Sequence, residues 1–236
     1  MLLHGWAADS RIWNGLLGAY GEQISLVAPD LPGHGATPLH LDGEPLDAYH
    51  SHAVDSFCSW SEDQGLIDAP ILSWAWGTWV AIDAVASGRV QPRSMMLISF
   101  APGADSPVPY DGPVARDWPR YAHTIVRMMV GAVISPETED WLSTIMRETS
   151  PAAAAGVHLA AWRAPDATFR LPLDSVVVLG ENDRIQPGRD GATVAEAWGV
   201  NTVTSIAGSG HTAFIEERTR FDDVWRAWLA DIGVLH

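Results

Sequence analysis

Six short apolar runs, each closed by turn residues and parted from the next by a longer helical pattern, most constrain what this chain can fold into. They are Met1–Leu3, Ser25–Pro29, Ile71–Trp74, Met95–Ser99, Ser175–Leu179 and Asn201–Ile206. Most show no apolar–polar alternation, the pattern of strands covered on both faces of a parallel sheet. Between them, Asp9 or Ser10 can cap a helix carrying Trp13, Leu16, Leu17 and Tyr20. Further helices are expected at about Asp47–Trp60, Trp76–Ala86, Asp190–Trp198 and Arg220–Ala230. Strands alternating with helices imply an α/β fold on a doubly wound, mostly parallel sheet. The alternation breaks once. From about Gly103 to Leu173 the chain offers Pro-rich turns and helical stretches with no convincing strand, too long for a connection. The expected division is a core of residues 1–102 and 174–236 with an inserted helical lid at 103–173.

A chain of 236 residues, 47% hydrophobic, suits one domain with one large insertion. No apolar run reaches the roughly 20 residues of a membrane span. The opening Met-Leu-Leu-His-Gly lacks the basic segment and cleavage site of a signal peptide. Cys58 is the single cysteine, so no internal disulfide can form, which points to a reducing, cytoplasmic setting. A net charge of -15 argues against nucleic acid and anionic membranes as partners. His50-Ser-His52 is the nearest approach to a metal site and lacks a carboxylate or Cys partner at suitable spacing. With no Gly-x-Gly-x-x-Gly or phosphate loop either, neither metal nor cofactor is expected.

Three segments carry candidate chemistry. Ile71-Leu-Ser-Trp-Ala75-Trp-Gly-Thr78 reads as strand, sharp turn and helix start, the layout that lifts one nucleophilic side chain above a parallel sheet. The reactive position holds Ala75, a methyl group. An apolar strand from Val176 ends in a loop presenting Asp183, and another strand is followed by Gly-Ser-Gly-His211. Each residue sits just past a strand's carboxyl end, where parallel sheets place their sites. A hydroxyl nucleophile needs an imidazole to take its proton, and the imidazole needs a buried carboxylate to fix its tautomer. His4-Gly5-Trp6 follows the first strand, so the backbone N–H groups of Trp6 and Trp76 are candidates for an oxyanion hole. His34, in the tight turn Pro29-Asp-Leu-Pro-Gly-His-Gly35, is read as structural.

These words together resemble the α/β-hydrolase superfamily across nearly the whole chain: His-Gly-Trp, Asp-Leu-Pro-Gly-His-Gly, the elbow, Gly-Glu-Asn-Asp and Gly-His. Within it, Leu3-His-Gly-Trp-Ala, Leu72-Ser-Trp-Ala-Trp-Gly and Arg116-Asp-Trp-Pro119 resemble the pimeloyl-acyl-carrier-protein methyl ester esterases of biotin synthesis. The resemblance implies a serine carboxylesterase acting on a methyl ester whose acyl chain is held on acyl carrier protein, with an esterase or lactonase for another small ester as the alternative. Ala75 stands where that family carries serine, and Ser73 and Thr78 replace small residues of the elbow. Two readings of Ala75 follow: a serine changed to alanine so that an ester survives, or a natural protein without a nucleophile. Retention of Asp183, His211 and both oxyanion positions favours the first. Either way, the chain as written is expected to bind ester and barely cleave it.

Substrate choice falls to the lid. A helix expected over Arg120–Ile134 puts Arg120, His123 and Arg127 on one stripe, with Ile125 and Met129 roughly opposite. Residues 103–171 carry six Arg against eight acids, a net -2 that leaves -13 elsewhere, so this is the least repulsive face for an acidic carrier protein. A plain solvated helix face is the equal alternative. Trp6, Trp76, Phe100 and Met129 are candidates for an acyl pocket.

Overall fold

The computed structural model describes residues 1–100, 117–159, 168–186, 193 and 196–235. The helix expected at about Asp190–Trp198 falls mostly outside these residues, and Arg116 wholly so. Five parallel strands make one sheet: β1 (Leu2–Leu3), β2 (Ile71–Trp74), β3 (Met95–Ile98), β4 (Val176–Gly180) and β5 (Thr202–Ile206), neighbours in that order. Leu3 pairs with Ser73, Trp74 with Ile98, Ile98 with Val178 and Gly180 with Ile206, so the carboxyl ends emerge along one edge. Ser25–Pro29 is not a strand. Its tie to the sheet is the Leu2 N–H to the Val27 carbonyl at 2.8 Å, and one such bond at an exposed edge does not make a ladder.

The helices of the described residues are α1 (Asn14–Tyr20), α2 (Tyr49–Asp63), α3 (Trp76–Ala86), α4 (Trp118–Met129), α5 (Pro136–Glu148), α6 (Pro151–Leu159), α7 (Ala213–Glu216) and α8 (Arg218–Asp231). A 3-10 turn at Ser10–Trp13 leads into α1, capped by Asp9, which accepts the Arg11 N–H at 2.9 Å. Both faces of the sheet are covered. Leu16, Tyr20, Phe221 and Trp225 pack on Leu2, Leu72, Met96 and Val178. On the opposite face Phe57, Trp79 and Ile82 pack on Leu3, Ile71, Leu97 and Val177. Successive residues of β1 to β4 go to opposite layers and are buried in both, which is why those strands need no polar alternation, whereas β5 is exposed along most of its length.

Between β3 and β4 the chain inserts α4, α5 and α6. Asp117 caps α4 by accepting the Arg120 N–H at 3.3 Å, and Ser135 caps α5 by accepting the Thr138 N–H at 3.2 Å. Each is followed by a Pro in the first turn, where a missing N–H costs nothing. Trp118, Ile125, Met129, Ile145 and Ala154 of this insertion share a buried cluster with Ala75. The helix expected to run to Ile134 stops at Met129, with Val130 extended at φ -82° and ψ 133°. Tertiary partners take over there: the Met129 carbonyl accepts the His211 N–H at 2.6 Å, and the Gly131 and Ala132 N–H groups turn to the Glu216 carboxylate. Among the described residues no helix is long and apolar enough to cross a membrane.

Candidate active site

β2 ends, the chain turns at Ala75, and α3 begins at Trp76. Ala75 has φ +51° and ψ -120°, a strained backbone for a residue bearing a Cβ. The bend is held by the Ala75 N–H on the Ile98 carbonyl at 2.9 Å and by the Thr78 N–H on the Ala75 carbonyl at 3.0 Å. Gly77 allows α3 to abut the loop after β1, since a Cβ there would run into the His4 carbonyl. Trp76 opens α3, so its N–H has no acceptor within the helix. The Trp6 N–H, in the loop that α3 abuts, has no partner among the described residues. Ala75 itself is only 5% exposed beneath the inserted helices.

Asp183 follows β4 and His211 follows β5, and the fold brings them together. His211 Nδ1 donates to Asp183 Oδ2 at 2.8 Å, while Asp183 Oδ1 accepts the Ile185 and Gln186 N–H groups at 2.9 Å each. Burial alone would raise the Asp183 pKa. The charge of His211 and its hydrogen bond, with the two backbone donors, outweigh that and hold the carboxyl below its ordinary value. An imidazole donating Nδ1–H to a carboxylate presents an unprotonated Nε2 on its far side, a base for a hydroxyl or water.

His211 is fixed through its backbone as well. Its carbonyl accepts the Trp74 indole N–H and the Ser99 hydroxyl, both at 2.8 Å, and its N–H goes to Met129. Ser99 has φ +49°, an unusual backbone that aims its Oγ at this carbonyl. Behind the loop three glycines meet backbone to backbone. A Cβ on Gly180 would strike the Gly210 carbonyl, one on Gly210 would strike the Gly131 N and Met129 carbonyl, and one on Gly131 would come within 2.6 Å of the Gly210 N. Sequence reasoning singled out neither Trp74 nor Ser99 for this work. Nothing in their local pattern marks a residue whose partner lies 137 or 112 positions away.

The remaining candidates divide between the two layers. Met129 is buried with Ala75, and its carbonyl holds His211. Trp6 donates its indole N–H to the Ala154 carbonyl at 2.9 Å and meets Trp118, Tyr121 and His158 edge-on, joining core to insertion. Burial lowers the His158 pKa to about 4, so that ring is neutral near pH 7. Phe100 instead lies between Trp79 and Trp198 in the opposite layer, core rather than pocket wall. The Trp76 ring also turns away, stacked with His34 and Tyr49, and it donates its N–H to His50 Nδ1 at 3.0 Å. His50 Nε2 in turn donates to Asp83 at 2.8 Å, so Trp76 brings only backbone to the elbow.

On α4, Arg120, His123 and Arg127 are on the outer side and Ile125 and Met129 are buried. The stripe is not bare. Arg127 pairs with Glu139 of α5 at 2.6 Å, His123 Nε2 lies 3.7 Å from the same oxygen, and His123 Nδ1 contacts the Ser143 hydroxyl at 3.2 Å. Among the described residues no three His, Cys, Asp or Glu side chains gather as a metal site requires.

Residues 1–224 match the family model described as "Alpha/beta hydrolase family". The pimeloyl-acyl-carrier-protein methyl ester esterase of Xanthomonas campestris pv. campestris is 28% identical over 239 residues, covering 91% of this chain and 88% of that protein. The enzyme of the same name from Aromatoleum aromaticum is 27% identical over 117 residues, a match to 47% of this chain and only 43% of that protein. In structure, a thermophilic esterase from Thermogutta terrifontis superposes with a TM-score of 0.80 at 18% identity, covering 98% of this chain and 89% of that one. Sheet order, elbow and family match agree, and the chain belongs to the alpha/beta hydrolase family.

Proposed function

We propose that this chain is the scaffold of a serine-type carboxylic ester hydrolase, acting on a pimeloyl-type methyl ester held on acyl carrier protein, with its nucleophile position occupied by alanine. The observation that carries the reading is the buried Asp183–His211 pair, 2.8 Å apart, with His211 held by Trp74, the residue just before a strained elbow that offers a methyl group. In a serine form, the residue 75 hydroxyl attacks the ester carbonyl and gives its proton to His211 Nε2. Asp183 stabilises the imidazolium, and the Trp6 and Trp76 N–H groups receive the developing oxyanion. His211 then returns the proton to the departing alcohol, and water repeats the sequence to release the acid. The helices α4 to α6 are the lid, and Met129 and Trp6 line the acyl path. Arg120, His123 and Arg127 face the carrier.

Neither hydroxyl of the elbow segment substitutes for the missing one. Ser73 and Thr78 are buried, and the Thr78 hydroxyl donates to Ser73 Oγ at 3.1 Å. The Ala75 chain therefore binds ester without turning it over. Ala75→Ser tests the assignment. It should raise ester cleavage on the order of a million-fold, the scale lost when such a serine is deleted. Absence of alcohol release from every short acyl methyl ester tried would remove the hydrolase reading. Ala75 itself favours a second reading, a binding protein that uses the same pocket: it requires tight ester binding by the Ala75 chain and no gain from Ser.

A further inference from the structure

We propose that Glu216 and Arg184 are positioning residues for His211, acting through the end of α4 so that the insertion and the histidine loop form one rigid body. The proposal rests on the reading of His211 as the base. Glu216 closes α7, and its carboxylate is satisfied almost entirely by backbone donors. Oε2 accepts N–H bonds from Gly131, Ala132 and Gly210 at 2.6, 2.8 and 3.0 Å, and Oε1 accepts from the Gly210 and Thr212 N–H groups at 3.1 Å each. The Thr212 hydroxyl adds a sixth bond at 2.8 Å. No cation pairs with this carboxylate among the described residues. Bonds to an ionised acceptor are roughly twice as strong as neutral ones, so the cluster is a tight joint.

Arg184 makes the second half of that joint. It stands next to Asp183 and donates Nη2 to the Arg127 carbonyl at 3.1 Å and the Val130 carbonyl at 2.7 Å. These are the carbonyls of a last-turn residue of α4 and of the residue that follows the helix, at the negative end of its dipole. Between them the Met129 carbonyl takes the His211 N–H. The bonds at residues 127–132 thus join the insertion to the loops bearing Asp183 and His211, across 54 to 85 positions of sequence. A merely structural polar cluster would satisfy its members without setting the base. Here a shift of Met129 moves His211 directly, and a misplacement of about 1 Å costs about hundredfold in rate.

Glu216→Gln tests this, because it replaces one acceptor oxygen with an amide group that confronts N–H donors. In the Ala75 protein, amide hydrogen exchange at residues 129–132 and 210–212 should accelerate together, by about tenfold or more. In the Ala75→Ser background, kcat should fall about hundredfold while KM stays within about threefold. Arg184→Met should move both readouts the same way to a smaller extent, and it decides the matter if Glu216→Gln does not fold. Exchange confined to one of the two segments, or kcat within about twofold of the Ala75→Ser parent in a folded variant, overturns the proposal. Should Ala75→Ser release no alcohol, the hydrolase reading falls and the exchange result alone decides this one.

Discussion

Asp183 and His34 show how differently burial acts on two ionisable residues. Asp183 is buried, which alone would raise its pKa, but its pairing with His211 and two backbone N–H donors bring it below the ordinary carboxylate value. Its contribution to stability is present above that ordinary value, near pH 4, and is lost as pH drops through the lower folded value. In the Ala75→Ser background, Asp183→Asn should lower kcat about ten-thousandfold with the fold intact, because the imidazole loses the acceptor that fixes its tautomer. A loss under about tenfold would show that His211 needs no carboxylate. His34 is the reverse case. Its Nδ1–H donates to the Pro32 carbonyl at 3.1 Å, its Nε2 has no partner among the described residues, and burial, reinforced by His4, lowers its pKa to about 3. Between pH 6.5 and about 3 the unfolded chain binds a proton that the folded one refuses, so stability falls as pH falls. His34→Gln should flatten the dependence of stability on pH there by up to about 1.4 kcal/mol per pH unit, read from urea titrations. An unchanged slope would mean that His34 protonates freely in the native state.

At the level of elements, the α4–α5 contact masks the surface proposed for the carrier. The Arg127–Glu139 pair is solvent-exposed on the arginine side and contributes about 0.2–1 kcal/mol at most. Breaking it should therefore matter more to binding than to folding. In the Ala75→Ser background, Glu139→Gln should raise kcat/KM for carrier-bound ester and leave the free methyl ester unchanged. Charge reversal at Arg120 and Arg127 should do the opposite to the carrier-bound substrate alone. Equal effects on both substrates would remove the docking assignment. β1 to β4 were legible in the sequence because burial on both faces leaves unbroken apolar runs, and the turn at Ala75 and the pairing of Asp183 with His211 because each of these residues follows a strand in a fixed chain order. Ser25–Pro29 misled because an apolar run at an open edge looks the same with one hydrogen bond as with four. The end of α4 misled for a related reason. Its last carbonyls and the following N–H groups are claimed by Arg184, His211 and Glu216, and a partner 85 positions away leaves no local periodicity.

For the whole molecule the governing quantity is charge. Fourteen basic against 29 acidic residues give -15, and exposed clusters such as Arg89 with Asp55 and Glu62 offset little of the mutual repulsion. Raising salt from about 0.01 to 0.15 M shortens the screening length from about 30 to 8 Å, which relieves repulsion across the molecule before it weakens contact pairs. Tm should therefore rise over that range, and a fall would show that the ion pairs outweigh the net charge. A different kind of rigidity lies where residues 131, 180 and 210 touch. None of the three can ionise, attack or bind, yet none has a rotamer through which an added methyl could be absorbed. Any such methyl must push main chain, and the main chain it pushes is the one that carries the imidazole. In an alanine scan in the Ala75→Ser background, these chemically mute positions should be as intolerant as the histidine they stand behind.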